Sequence, residues 1–324
     1  VALHYLVMAH RRPKRFADLL DAIVTDDARV TVHIDRTTDE APFREAASPY
    51  STISFIPERD RVDVRWGGWS QVEATLRLLR SASAAGAIRP RDYVILLSGD
   101  SYPLQPPAAL ERALSKQHHQ FINSKPMTPT GTKPVSRFTT FYWEAARSGT
   151  RLMHLARAAN RLRVRRPYRR ALHGRVLHGG SQWWALTGQA TGWLLREVDR
   201  DRRFVRFCRH TRVPDEFFFQ TLLAASPFAG DVRPSLLFSI WEDPSAVSPE
   251  LVRKKHVKHI VSNALMLDQR GYDPAPALFV RKLAGARSAE RIRRTVWPLE
   301  PRLLLDQAAL LAAADPSRST QGES

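Results

Sequence analysis

The chain of 324 residues is 43% hydrophobic and 25% charged, the composition of a globular protein able to bury a sizeable core. Its 50 Lys and Arg against 32 Asp and Glu leave a net charge of +18, a field that attracts phosphates, nucleic acid or anionic membrane without choosing among them. A single cysteine, Cys208, excludes an intrachain disulfide, and no run approaches the ~20 apolar residues of a membrane-spanning helix.

In chain order, residues 1–8 read as a buried strand, and 16–24 repeat apolar residues at helical spacing. Strands are predicted over 29–35 and 51–56, a helix over 70–79, and a central parallel strand over 93–98, which is apolar almost throughout. Strands alternating with helices predict a doubly wound α/β sheet. Ligands of such sheets bind at the carboxyl ends of the strands, which here carry His10, Asp35 and Ser98-Gly-Asp-Ser101. Neither GxGxxG nor a P-loop motif occurs, so no dinucleotide fingerprint or Walker-type phosphate loop is predicted.

Nine arginines, from Arg151 to Arg175, occupy the middle of the chain, with Leu152, Leu155, Ala159 and Leu162 at helical spacing. A short strand is predicted over 180–186 and one helix over 188–209, in which Cys208 is a packed residue. A helix over 217–225, with Asp215 as its cap, and strands over 236–241 and 277–282 follow. No repeat or low-complexity linker divides the chain. A single domain is therefore expected over 1–284. The remainder, 285–324, reads as a helical to disordered tail, with about eight disordered residues at its end.

Several residues could carry chemistry. The one Asp-x-Asp pair, Asp199-Arg-Asp201, sits among Glu197, Arg202 and Arg203 and reads as a solvated charged face, not a divalent-cation grip. The histidines lack zinc spacing, so no metal is expected. Glu216, in a Pro-Asp-Glu turn, suits a general base or a carboxylate that complements a helix dipole. Arg281 and Lys282 end an apolar strand. They suit a clamp on a phosphate-bearing leaving group or a pair of surface cations. Trp66-Gly-Gly-Trp69 and Trp183-Trp184 offer flat faces on which sugars stack, and one tryptophan of each pair is expected in the core.

Five ordered blocks resemble the core-2/I-branching β-1,6-N-acetylglucosaminyltransferase family, which includes the protein O-xylosyltransferases. They are Val32-His-Ile-Asp35, Arg65-Trp-Gly-Gly-Trp-Ser-Gln-Val-Glu-Ala74, Leu96-Leu-Ser-Gly-Asp-Ser-Tyr-Pro-Leu104, Gly180-Ser-Gln-Trp-Trp-Ala-Leu-Thr187 and Val213-Pro-Asp-Glu-Phe-Phe-Phe-Gln-Thr221; Leu278-Phe-Val-Arg-Lys-Leu283 is a weaker sixth. The resemblance implies a GT-A-type, Rossmann-like mixed sheet flanked by helices, and inverting transfer from a UDP-sugar without a metal. It also implies Glu216 as catalytic base, Lys282 with Arg281 at the diphosphate, Gln182 with its neighbour Trp183 at the donor sugar, and Asp35 near the nucleoside. Trp66 belongs to the same donor-side set. The family commonly has Ser-Gly-x-Asp-Tyr-Pro. Here the carboxylate comes one place earlier, at Asp100. Neighbouring strand positions face opposite ways, which leaves open whether Asp100 serves as the donor contact.

The expected function is transfer of N-acetylglucosamine or xylose from a UDP-sugar to a hydroxyl of a glycan or polysaccharide precursor. The alternatives are a basic protein that binds nucleic acid or another anionic polymer, and a UDP-binding relative without activity. Lacking the membrane anchors and disulfides of animal members, the chain resembles a bacterial relative. The expected location is the cytoplasm, with peripheral contact at the inner face of the cell membrane through residues 151–175. Nucleic acid is not an expected partner.

Overall fold

The computed structural model describes residues 1–299, apart from 87, 132, 148–151, 244, 245, 247, 264 and 270. The final residues, expected to be disordered, lie outside the described residues.

The amino-terminal part alternates as the hydrophobic pattern requires. Strand β1 (Leu3–Ala9) leads to α1 (Pro13–Ile23), β2 (Arg29–Ile34), α2 (Ala41–Ala47), β3 (Ile53–Phe55), α3 (Trp69–Ala84) and β4 (Tyr93–Ser98). Proline at the first helical position starts α1, where the missing N–H would be unpaired anyway. There follow β5 (Ser101–Pro103), α4 (Pro107–Ser115), β6 (Gln120–Ile122), β7 (Lys125–Pro126), α5 (Ser136–Thr139), α6 (Leu152–Arg161), α7 (Arg169–Leu172), β8 (His178–Gly179) and β9 (Trp184–Thr187). The remainder comprises α8 (Gly188–Arg200), α9 (Arg202–Cys208), α10 (Phe218–Ala224), β10 (Val232–Arg233), β11 (Leu237–Ser239), α11 (Lys254–Ser262), β12 (Met266–Gln269), β13 (Tyr272–Pro276), β14 (Phe279–Arg281) and α12 (Ala286–Thr295).

The main sheet has the order β10-β6-β9-β4-β1-β2-β3. Strands β3, β2, β1 and β4 are parallel, while β9 runs antiparallel to both β4 and β6. This is the doubly wound, mixed sheet flanked by helices that the alternating pattern predicts. The order reverses between β1 and β4, the switch point whose carboxyl-end crevice receives ligands in open α/β sheets. All six residues of β4 are buried, as are Leu3, Tyr5, Leu6, Val7 and Ala9 of β1. A second sheet, β11-β14-β5, abuts the same end: β14 pairs with β5 directly after the β4 turn, with Arg281 opposite Ser101.

The structure corrects several expectations. The helix over 188–209 is two helices. Asp201 breaks it, and its carboxylate accepts the Phe204 N–H as the cap of α9 at 2.9 Å. Asp201 is thus nearly buried and paired with Arg175 at 2.6 Å, not part of a solvated face; Asp199, bonded to Arg80 at 2.6 Å, is the exposed member. Asp215 caps nothing, because α10 starts from Phe217 without a side-chain acceptor. Leu152, Leu155 and Leu162, read at helical spacing, are 50%, 64% and 76% exposed. The helical part of the stretch after residue 284 is α12, which packs on α1 and α11 and buries Ala289 and Ile292, and Trp297 Nε1 donates to the Pro103 carbonyl at 3.2 Å.

Candidate active site

The crevice at the β1–β4 switch point is ringed by cations. The loop after β1 carries Arg12, which with Arg15 on α1 reaches across to the Asp100 carboxylate at 3.2 and 3.3 Å. Asp100 lies in the turn between β4 and β5. There its carboxylate faces these guanidinium groups, whereas Ser101 turns inward to the Ser98 hydroxyl. Arg281, at the end of β14, donates from Nε to Ser98 Oγ at 3.0 Å and lies over the Trp183 ring at 5.0 Å. Burial lowers the Arg281 pKa to about 10 against the pull of Asp100. Lys282 is buried, and its Nζ donates to Ser248 Oγ. Burial and then the Arg281 charge lower its pKa to about 8. Four cations around one carboxylate leave a surplus of positive charge suited to a dianion.

A second group lies across residues 180–183. The turn 213–216 is held in a left-handed conformation at Val213 (φ 55°), sparsely populated for a β-branched residue and costly unless its surroundings fix it. Here Val213 N–H donates to the Gly67 carbonyl at 2.8 Å, and Gly67 itself has φ 75°. The Gly180 N–H donates to the Glu216 carbonyl at 2.7 Å. A Cβ on Gly180 would lie 1.5 Å from the Asn123 carbonyl oxygen, so only glycine permits this approach. The Glu216 side chain is 28% exposed, and its Oε2 accepts from Lys133 Nζ and Arg137 at 2.5 Å each. Its Oε1 has no partner among the described residues. Asp215 is buried with Oδ1 unpaired, and burial followed by the Glu216 charge raises its pKa well above the carboxylate range.

Gln182 joins the two groups. It bonds Gln71 Nε2 at 3.2 Å, and Gln71 Oε1 accepts the Gly67 N–H at 2.6 Å. Trp183 is nearly buried beneath Arg281. Trp184 and Trp69 are core, and Trp66 is 48% exposed beside the Gly67 turn. Asp35, at the end of β2, spends its carboxylate on the Thr37 N–H and hydroxyl and on the Val64 N–H at 2.8 Å, closing the loop at the strand end. Glu216 and Gln182 are thus linked through Gly180 and the Gly67 turn, while Trp183, Arg281, Lys282 and Asp100 gather in the cation cluster, with Asp35 on the neighbouring strand end. Lys133, Arg137, Arg12 and Arg15 were not legible as site residues. The basic run after β1 was a signal for the last two, but the irregular stretch holding Lys133 and Arg137 has no pattern to read.

Among the described residues no group of three or more His, Cys, Asp or Glu could hold a metal ion. A cavity of about 160 Å³ lined by His4, Arg29 and Thr52 lies at the opposite, amino ends of the strands.

Residues 3–268 match the family described as Core-2/I-Branching enzyme. No curated protein sequence matches. Among solved structures, the chain is similar to mouse xyloside xylosyltransferase 1 in its apo form, at 10% identity and a TM-score of 0.42, over 88% of this chain and 98% of that one. It is also similar to the galactosyltransferase LgtC in complex with donor and acceptor sugar analogs, at 12% identity and a TM-score of 0.36, over 93% and 99%. A third is the apo bifunctional glycosyltransferase WbbM, at 8% identity and a TM-score of 0.38, over 94% of this chain and 51% of that one.

Proposed function

The chain belongs to the core-2/I-branching enzyme family and is a glycosyltransferase; on that premise we propose inverting, metal-independent transfer of N-acetylglucosamine or xylose from a UDP-sugar to a glycan hydroxyl. The observation that carries this reading is the cation cluster at the sheet switch point, linked along residues 180–183 to the turn that presents the partly exposed Glu216 carboxylate.

In this mechanism the diphosphate lies against Arg281 and Lys282, with Arg12 and Arg15 beside them. Asp100 holds the last two in place. The donor sugar lies over Gln182 and Trp183, with Trp66 at its open side, and the nucleoside sits near the loop that Asp35 closes. The acceptor hydroxyl attacks the anomeric carbon from the face opposite the phosphate and gives its proton to Glu216 Oε1. The bond to the β-phosphate oxygen breaks, and the fixed cations take up the charge on departing UDP. One displacement inverts the anomeric centre.

The test is calorimetry with UDP, UDP-N-acetylglucosamine and UDP-xylose, first in EDTA and then with Mn²⁺, on wild type and Glu216→Gln. Expected are UDP binding in EDTA and a turnover loss of about 100-fold or more in the variant at unchanged UDP affinity. UDP binding only with Mn²⁺ would remove the metal-free mechanism. Loss of UDP binding in the variant would make Glu216 structural.

Peripheral contact with anionic membrane through residues 151–175, at the inner face of the cell membrane, belongs to the same proposal. Its support is the exposed Leu152, Leu155 and Leu162 beside exposed Arg161, Arg163 and Arg165.

A further inference from the structure

Resting on the transferase reading, in which Glu216 meets the acceptor, we propose that the acceptor carries an anionic group, a carboxylate or a phosphate, close to its reacting hydroxyl. Lys133 and Arg137 receive that group.

The two cations converge on a single oxygen. Lys133 Nζ and an Arg137 terminal nitrogen both meet Glu216 Oε2 at 2.5 Å, and Glu216 is the sole acidic partner of each among the described residues. Glu216 neutralises one of the two positive charges, and the buried Asp215 beside it, its pKa raised to about 7, offsets the other only in part, so net positive charge remains beside the group that contacts the acceptor. An ammonium has three N–H donors and a guanidinium five, and each cation makes one described hydrogen bond or ion pair here. The side chains are 21% and 25% exposed, so part of each faces the open side of the site. Holding a carboxylate in one orientation needs one such partner. Two, with most of their donors unspent, form a fork that fits a second anion.

The surroundings have the same sign. Lys125 lies over the Tyr272 ring at 5.3 Å, and the Tyr272 hydroxyl donates to the carbonyl of Gly179, the neighbour of Gly180. Thr140, just beyond α5, pairs with Arg165 in the arginine-rich stretch, so the wall beside Glu216 continues into exposed arginines. The diphosphate cluster is separate: none of its residues bonds Lys133 or Arg137.

The site has a testable sign. Removing the Glu216 charge frees both cations, so Glu216→Gln should bind an external anion more tightly although its turnover is largely lost. A fork that serves only to orient Glu216 predicts no such gain.

The experiment is ligand-detected NMR at physiological salt on full-length protein saturated with UDP, which keeps probes out of the diphosphate site. The probes are methyl β-glucuronide, glucose 6-phosphate and the neutral methyl β-glucoside. Expected is binding of one or both charged sugars at least about tenfold tighter than the neutral one, the scale of one charge-assisted hydrogen bond. The tighter of the two names carboxylate or phosphate as the source. Lys133→Gln and Arg137→Gln should each lose about tenfold, and Glu216→Gln should gain several-fold. Equal binding of charged and neutral sugars overturns the proposal, as does anion binding untouched by the Lys133 and Arg137 variants. Failure of UDP to bind the same samples would sink the UDP-sugar reading instead, with the anion site judged by the variants alone.

Discussion

Folding strips water from the Lys282 ammonium and sets it beside Arg281, and both effects bring its pKa down to about 8, with Asp100 pulling the other way. An unfolded lysine titrates near 10.4. Below about pH 8 the folded protein therefore carries the full cost of a charge it holds less readily than the unfolded chain does, and this cost fades as pH rises toward the unfolded value. Lys282→Met should then stabilise the fold at pH 7, by roughly 1–3 kcal/mol. The gain should shrink toward pH 10.5, as followed by urea denaturation at the two pH values. The same substitution should weaken UDP at least about tenfold. Wild-type affinity for a UDP-sugar should fall above about pH 8, where Lys282 loses its proton, and the variant should lack that fall. A destabilised variant with normal UDP affinity would mean that Lys282 serves the fold through Ser248. The neighbouring Arg281, lowered only to about 10, keeps most of its charge between about pH 8 and 9, so the onset of the fall is read in that window.

The elements that hold these side chains differ in how openly the sequence displays them. Strand β4 is an apolar run that could only be a buried strand, and the order of β1 to β4 follows from simple alternation with helices. The break at Asp201 was hidden because Arg202 and Arg203 continue the polar face of a helix and no proline or glycine marks the turn. Only the structure shows Arg175 arriving from 26 residues away to bond Asp201 while Asp201 caps α9. Glu216 was legible because its turn lies in a recognisable block, but its cationic partners come from another segment, and such pairings leave no local pattern. Burial works to raise the Asp201 pKa, yet the Phe204 N–H and Arg175 hold it below the usual range. A lowered folded value gives stability that is present above the unfolded pKa and lost as pH falls through the folded one. Asp201→Ala should therefore cost about 1–3 kcal/mol at pH 7. The difference from wild type should narrow below about pH 4. A constant difference across that range would assign the loss to packing.

At the scale of the molecule, half of the +18 net charge comes from residues 151–175, which hold nine arginines and no acidic residue. Two of these arginines are structural: Arg166 lies 3.5 Å over the Phe207 ring, and Arg175 joins Glu197 and Asp201. Arg161, Arg163, Arg165, Arg169 and Arg170 face water in the same stretch as exposed Leu152, Leu155 and Leu162. A stretch that displays leucines and cations together has the two components of interfacial binding, apolar burial and attraction to anionic headgroups. Each arginine near such a surface contributes about 1 kcal/mol and each buried leucine about 1.5–3 kcal/mol. In the proposed membrane contact the two contributions act together. Co-sedimentation with vesicles should therefore show binding to membranes containing anionic lipid and none to neutral ones, weakening as salt screens the arginines. Leu155→Ser with Leu162→Ser should cut partitioning at least about tenfold, leaving UDP binding unchanged because neither residue touches the crevice. Binding that follows charge but ignores the leucines would mean a polyanion, not a bilayer, is the partner of this face. The arginines would then extend the acceptor wall that begins at Lys133 and Arg137.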